Sequence, residues 1–500
     1  MAARLLPSSA VPSANSSNDR LASEGRHNAP DRHERRPHEV SPHFSRRSFL
    51  RTSAFALAGA TLYACTGGGR KTPVAAPTAT ASVLATHTHW PIKRVIYLML
   101  ENRSYDNLFG RFPGANGTTV GVKLGQEVPL LDCPQWLPGD LPHDRAAHLN
   151  DVNGGAFDGF GAGQFGDPWA YTAFRGARVP NYWQLAREYV LCDNFFSSVA
   201  GPSFPNHFFS VAGTSGGALD NPENIETRVE EGRRFKSWGC DAVGENVYVF
   251  VKDGKGNLTK HDTCFDFKTV PEQLEEVRVP WAYYSAGPYQ TGYFWNALNG
   301  ISGVFHTDLW RPETIRPVDR LPQDIRAGRL PAVTWVTPRF EFSDHPPQIT
   351  CFAHDWLTEV VNALIESDAW RHTALFITWD EWGGFYDHVP PPVVDDIGLG
   401  FRVPTLVVSP FAKKGYVDDA VGEFSSPLKF IEDNWGLPYL TPRIEDTHNF
   451  EHVFDFDRAP RTGAQPLPKI DSCYGSPSEF PGDSYPGWPS GTVPDEGAFV

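Results

Sequence analysis

Asp380 and Glu381 stand side by side at the end of the apolar run Ala374-Leu375-Phe376-Ile377-Thr378-Trp379, and Gly383-Gly384 follow at once. Glu101 and Asn102 end a second apolar run, Arg94 to Leu100, in the same way. Neighbouring side chains on a strand point to opposite faces, so both members of such a pair reach one point only from a turn beyond the strand end. Three carboxylates and an amide oxygen brought together there would be hard ligands, suited to Ca²⁺, Mg²⁺ or Mn²⁺ more than to Zn²⁺. Taken singly, each pair reads more readily as solvated loop acids or helix caps.

Ser203 lies in Val199-Ala200-Gly201-Pro202-Ser203-Phe204-Pro205-Asn206-His207, a tight Gly-Pro turn before residues that can open a helix. It is either an N-cap or a nucleophile at a helix N-terminus, where peptide N–H groups would stabilise an alkoxide and a phosphate. No GxSxG elbow surrounds it and no acyl-transfer triad is evident nearby. His143, His345 and His388 sit in polar, turn-rich segments. Each could protonate a leaving group or hold phosphate oxygens, although most loop histidines do neither.

The elements that must position these residues are buried strands. Arg94–Leu100, 331–337, 374–379 and 403–408 are continuous apolar runs, and Trp356, Leu357, Val360, Val361, Leu364 and Ile365 recur at helical spacing between two of them. Repeated strand, helix, strand units predict an α/β protein with a mainly parallel sheet and helices on both faces. Polar groups then gather at the carboxyl edge of the sheet. The segment from about 218 to 300 is charged and turn-rich, and is expected as an insertion or cap over the strand ends.

The chain carries 15 Trp, 16 Tyr and 34 Phe, enough for a large core, while Asp and Glu outnumber Lys and Arg by 59 to 44. The body has no basic stripe with interleaved aromatics, which argues against nucleic-acid binding. No GxxxxGK[ST] or GxGxxG loop points to a nucleotide cofactor. Residues 1–44 read as a solvated leader. Ser45-Arg46-Arg47-Ser48-Phe49-Leu50-Arg51, followed by the apolar stretch 54–64, fits a twin-arginine signal read by the export machinery. Leu62-Tyr63-Ala64-Cys65 resembles a lipobox, with Cys65 as the lipidated residue. Residues 66–90 would be a flexible linker, 91–460 the catalytic body and 461–500 a Pro/Gly-rich tail. The expected location is beyond the cytoplasmic membrane, at the cell surface, in the periplasm or secreted. Disulfides are permitted there, and Cys240 with Cys264 is the best sequence-local pair.

The motif Leu100-Glu101-Asn102-Arg103-Ser104-Tyr105-Asp106-Asn107-Leu108-Phe109-Gly110, with 201–206 and the run from Trp379 to Pro392, resembles the phosphoesterase family of bacterial phospholipases C and related acid phosphatases. The likeness runs from about 91 to about 460. It implies a three-layer, alkaline-phosphatase-like α/β/α sandwich with a divalent metal on Glu101, Asn102, Asp380 and Glu381. It further implies Ser203 as nucleophile and His143 and His345 around the phosphate. His388 falls in a family motif and is carried as a substrate-side candidate. His207 stands where many members have Arg, and the stretch around Trp281 to Ser285 lacks the second histidine pair of some acid phosphatases. The implied substrate is a phosphate ester, either a phospholipid met at a membrane or a soluble monoester. The lack of a recognisable C-terminal β-domain tilts the reading toward a generic phosphoesterase. A surface lipoprotein that binds metal or ligand without catalysis is the alternative. Sulfate-ester hydrolysis is disfavoured by the lack of a Cys-x-Pro/Ala-x-Arg site.

Overall fold

The computed structural model describes residues 87–161 and 168–470. The twin-arginine segment, Cys65 and most of the linker lie outside the described residues. The centre is an eight-stranded sheet. In chain order its strands are β1 (Arg94–Leu100), β2 (Val190–Cys192), β3 (Trp281–Ser285), β4 (Ile315–Pro317), β5 (Val333–Val336), β6 (Thr373–Trp379), β7 (Thr405–Val408) and β8 (Tyr416–Asp418). They lie in the spatial order β4-β3-β5-β1-β6-β7-β2-β8. β4, β3, β5, β1 and β6 run parallel, whereas β7 is antiparallel to both its neighbours. β1 and β6 pair in register from Arg94 opposite Thr373 to Leu100 opposite Trp379, so these two strands end side by side.

Five helices matter for the site: α1 (Tyr105–Phe109), α2 (Pro180–Glu188), α3 (Ser203–Ala212), α4 (Thr350–Ile365) and α5 (Ser425–Trp435). In-register neighbours of a parallel sheet share a face, so Tyr97, Trp335 and Phe376 point to the same side. Trp335 donates its indole N–H to the Ser210 carbonyl of α3, and Phe376 packs edge-on against Phe430 of α5. Trp379 has the opposite parity and meets Tyr182 of α2, which in turn packs on His354 of α4. The sheet is therefore covered by helices on both faces. This explains why its strands are apolar throughout and not alternating.

The sequence-derived boundaries need two corrections. The segment 218–300, expected as an insertion, contains β3, a strand of the central sheet. Its Trp-Ala-Tyr-Tyr-Ser sequence is buried at every position because both faces are covered, so it offers no period-2 alternation. What lies over the cleft is the hairpin Arg228–Glu230 with Arg233–Phe235 and the loop after β3. The tail, in turn, is part of the body as far as Pro468: Leu467 is buried and exchanges two hydrogen bonds with Asn362 of α4, and the Pro468 carbonyl accepts from Asn181 of α2. Cys240 and Cys264 form a disulfide. No helix among the described residues is long and apolar enough to cross a membrane.

Candidate active site

Because β1 and β6 end together, Glu101-Asn102 and Asp380-Glu381 leave the sheet as neighbours. The Asp380 amide donates to the Leu100 carbonyl at 3.0 Å, and the Asn102 amide donates to Asp380 Oδ1 at 2.8 Å. Asn102 adopts φ 58°, a left-handed conformation that Asn tolerates better than most residues. Gly383, at φ 63°, turns the chain back so closely that a Cβ there would stand 2.3 Å from the Asn102 carbonyl oxygen. Its amide donates to Glu381 Oε2 at 2.7 Å.

All four side chains are fully buried. Each nevertheless leaves one oxygen without a hydrogen-bond partner among the described residues: Glu101 Oε2, Asn102 Oδ1, Asp380 Oδ2 and Glu381 Oε1. Buried polar atoms are almost always paired, and unpaired carboxylates in a dry setting are costly. Burial, followed by repulsion from Asp380 and Glu381, pushes Glu101 well above the usual carboxylate range. Burial does the same to Glu381, with His143 opposing it. A hard, oxygen-seeking divalent cation would satisfy these atoms and this charge, so the residues present fit such an ion.

Ser203 opens α3. Asn206 holds the preceding turn: its Oδ1 accepts from the Val199 amide and its Nδ2 donates to the Gly201 and Pro202 carbonyls. A Cβ on Gly201 would lie 2.4 Å from the Leu219 carbonyl oxygen, so the turn is packed against the backbone beside it. His207 follows Ser203 by four residues on the same helix face, about 6 Å along the axis. Its Nε2 lies 2.9 Å from Glu101 Oε1 and 3.9 Å from Asp380 Oδ2. Glu101, His207 and Asp380 thus form a buried cluster, and one helical turn ties the serine to the carboxylates. Burial pushes His207 down to about 4, with Asp380 opposing, so the imidazole is neutral. Nothing in the local sequence marks this contact except the spacing of four from Ser203.

Ser203, His143 and His345 line one cleft of about 640 Å³. The two imidazoles meet edge to face, 5.5 Å between ring centres. Asp140, a residue the sequence did not single out, lies 3.7 Å from His143 and 3.9 Å from His345. Asn102 Nδ2 lies 3.1 Å from His143 Nε2, and the Leu141 carbonyl accepts from Nδ1. Burial works against a proton on His143, but Asp140, Glu381, the Leu141 carbonyl and Asp380 hold it up to about 9. Burial pushes His345 below its ordinary value, and Trp295 stacks on its ring. Asn221 also lines the cleft and accepts from the Phe204 amide, fixing the start of α3.

His388 is not brought to this cleft. Its Nδ1 meets Asp106 Oδ2 at 2.6 Å, beside Asp387 and the buried guanidinium of Arg402. Arg402 Nε donates to Asp387 Oδ1, and the Asp106 amide donates to Asp387 Oδ2, so the group ties α1 to the segment after β6.

The profile of the phosphoesterase family matches residues 92–438, most of the chain and every residue of the cleft described above. The chain belongs to the phosphoesterase family. Hemolytic phospholipase C of Pseudomonas aeruginosa is 26% identical over 493 residues, which takes in 85% of this chain and 63% of that protein. Non-hemolytic phospholipase C of Burkholderia pseudomallei is 27% identical over 432 residues, 71% of this chain and 56% of that protein. Non-specific phospholipase C6 of Arabidopsis thaliana is 27% identical over 453 residues, covering 77% and 78%. This phosphoesterase therefore spans less than two thirds of the length of the two bacterial relatives. Among solved structures, a protein of the alkaline phosphatase superfamily from Vibrio parahaemolyticus is 11% identical, with a TM-score of 0.34 and coverage of 75% and 74%.

Proposed function

We propose that the protein hydrolyses phosphate esters with Ser203 as nucleophile, beside a divalent cation held by Glu101, Asn102, Asp380 and Glu381. One observation carries this reading: each of those residues leaves a buried oxygen unpaired, and His207, one turn along α3 from Ser203, touches the same carboxylates. The cation, when bound, would supply positive charge where the phosphoryl oxygens and the serine oxygen become negative. Ser203 sits at the N-terminus of a ten-residue helix, whose dipole also favours a phosphate there, while the Phe204 amide is engaged by Asn221. Its oxygen attacks phosphorus in line, forming a phosphoserine as the bond to the leaving oxygen breaks. His143 or His345 gives a proton to the departing alcohol, and the same groups accept one from the water that later cleaves the phosphoserine.

The relatives named as phospholipases C support a phospholipid as one substrate; a soluble phosphomonoester is the other. Export by the twin-arginine route and lipidation at Cys65 belong to the same reading, since a surface-held enzyme would meet either substrate. Replacing Ser203 by Ala should abolish turnover of p-nitrophenyl phosphate and of phosphatidylcholine while leaving the circular dichroism and melting curve intact. Full activity in that variant would remove Ser203 from the mechanism.

A further inference from the structure

The wall of the cleft facing the nucleophile's own loop is built by the hairpin Arg228–Glu230 with Arg233–Phe235 and by the loop after β3. It brings Arg233, Arg234 and Lys236 to the same cleft as Ser203. In a chain of net charge −15, Asp140 is the only carboxylate among the lining residues, and it is turned to His143 and His345. Lys236 is half-buried, and among the described residues neither it nor Arg234 has a carboxylate partner. Burial lowers the Lys236 ammonium from its ordinary value.

The aromatic faces of this wall argue in the same direction. A quaternary ammonium would be recognised by open aromatic rings. Here Lys236 Nζ stands 5.2 Å over Phe294, and the Arg233 guanidinium stands 4.4 Å over Tyr289. These two faces are already covered by the protein's own cations, which would repel a second one, and the other aromatic rings of the cleft are packed on neighbouring rings: Trp295 on Phe340 and His345, and Trp238 on Phe294.

We propose that the substrate carries, in its organic part, a second anionic group held by Arg234 and Lys236. The inference rests on the phosphoesterase reading and names its substrate class: a phosphate ester with a further phosphate or carboxylate, and not a phosphocholine ester. A lipid headgroup and a free small molecule can both present this chemistry. The arms of the test separate them: micellar phosphatidylinositol 4-phosphate against phosphatidylcholine, and soluble fructose 1,6-bisphosphate against phosphocholine, each followed by released water-soluble phosphorus or inorganic phosphate.

The doubly anionic member of at least one pair should be preferred by about tenfold or more in kcat/KM, the worth of one well-placed charge contact. In the double variant Arg234→Gln, Lys236→Gln that preference should fall at least about fivefold, through KM more than kcat, and Lys236→Arg should keep it. Preference for the phosphocholine member in both pairs overturns the inference, as does a preference that the double variant leaves unmoved. Turnover of none of the four substrates would bring down the phosphoesterase reading itself, and this inference with it.

Discussion

Glu101 Oε2, Asn102 Oδ1, Asp380 Oδ2 and Glu381 Oε1 have no hydrogen-bond partner among the described residues, while the other oxygen of Asp380 accepts the Asn102 amide and that of Glu381 the Gly383 amide. That division of labour separates what holds the turn from what would hold an ion. Asp380→Asn keeps an Oδ1 acceptor for Asn102 but removes a charge. It should therefore fold, lose most bound divalent metal in elemental analysis, and lose turnover by at least about a hundredfold. Chelation should lower the melting temperature of the native protein, because an ion that binds only the folded state stabilises it. The same chelator should leave the melting of Asp380→Asn unchanged; an equal drop in both would place the metal elsewhere. The four proposed oxygen ligands could be picked out in the sequence because their types stand where apolar runs stop, and Ser203 because it follows a tight Gly-Pro turn. His207 was noticed only as a departure from the family's Arg, and its contact with the carboxylates was not, because it lies among Phe204, Phe208 and Phe209 on a helix buried on all sides, where a histidine carries no local signal.

At the scale of elements, the long central strands were readable from their apolar runs, and α4 from its 3.6-residue period. β2, β4 and β8 were not, since strands of three residues offer no period to detect. β7 was found, but its antiparallel direction depends on the chain's path and leaves no trace in its composition. The joint between α2 and α4 was equally hidden. α2 begins with Pro180 and has no side chain capping its first turn from the N-cap position. His354 of α4 supplies that cap: its Nε2 accepts from the Asn181 and Tyr182 amides at 3.0 and 3.3 Å. An accepting Nε2 requires a neutral ring, and burial pushes His354 down to about 3. The unfolded chain takes up this proton below the ordinary value of 6.5, while the folded one resists it. The cap's stability is thus full above that value and is lost as pH falls toward about 3. His354→Leu should cost about 1–3 kcal/mol at neutral pH, because two amides lose their acceptor. The gap in melting temperature between native protein and variant should narrow as pH is lowered from about 7 to about 4. A gap constant across that range would mean that packing alone, and not the neutral imidazole, carries the contribution.

Across the whole molecule, the site joins two regions of unequal support. β1 and β6 are buried almost throughout, and the turns that carry the proposed metal ligands leave directly from them. The cationic wall is instead built on the short hairpin Arg228–Glu230 with Arg233–Phe235. A second hairpin later in the chain, Val249–Lys252 with Leu258–His261, has an outer strand exposed at every position. The Cys240–Cys264 disulfide spans that hairpin with a sequence separation of 24 and follows Arg234, Lys236 and Trp238 by a few residues. Closing a loop of this size restricts the unfolded segment by about 3 kcal/mol in the chain-entropy view. Val249 and Val251 join the main core, but the outer strand is exposed throughout, so this segment should open separately from the sheet. In hydrogen exchange under native conditions, the double variant Cys240→Ser, Cys264→Ser should exchange across 240–264 about tenfold faster or more and leave the amides of β1 and β6 as slow as before. If the variant instead accelerates β1 and β6 to the same degree, this segment and the sheet unfold as one cooperative unit, and the disulfide supports the whole body.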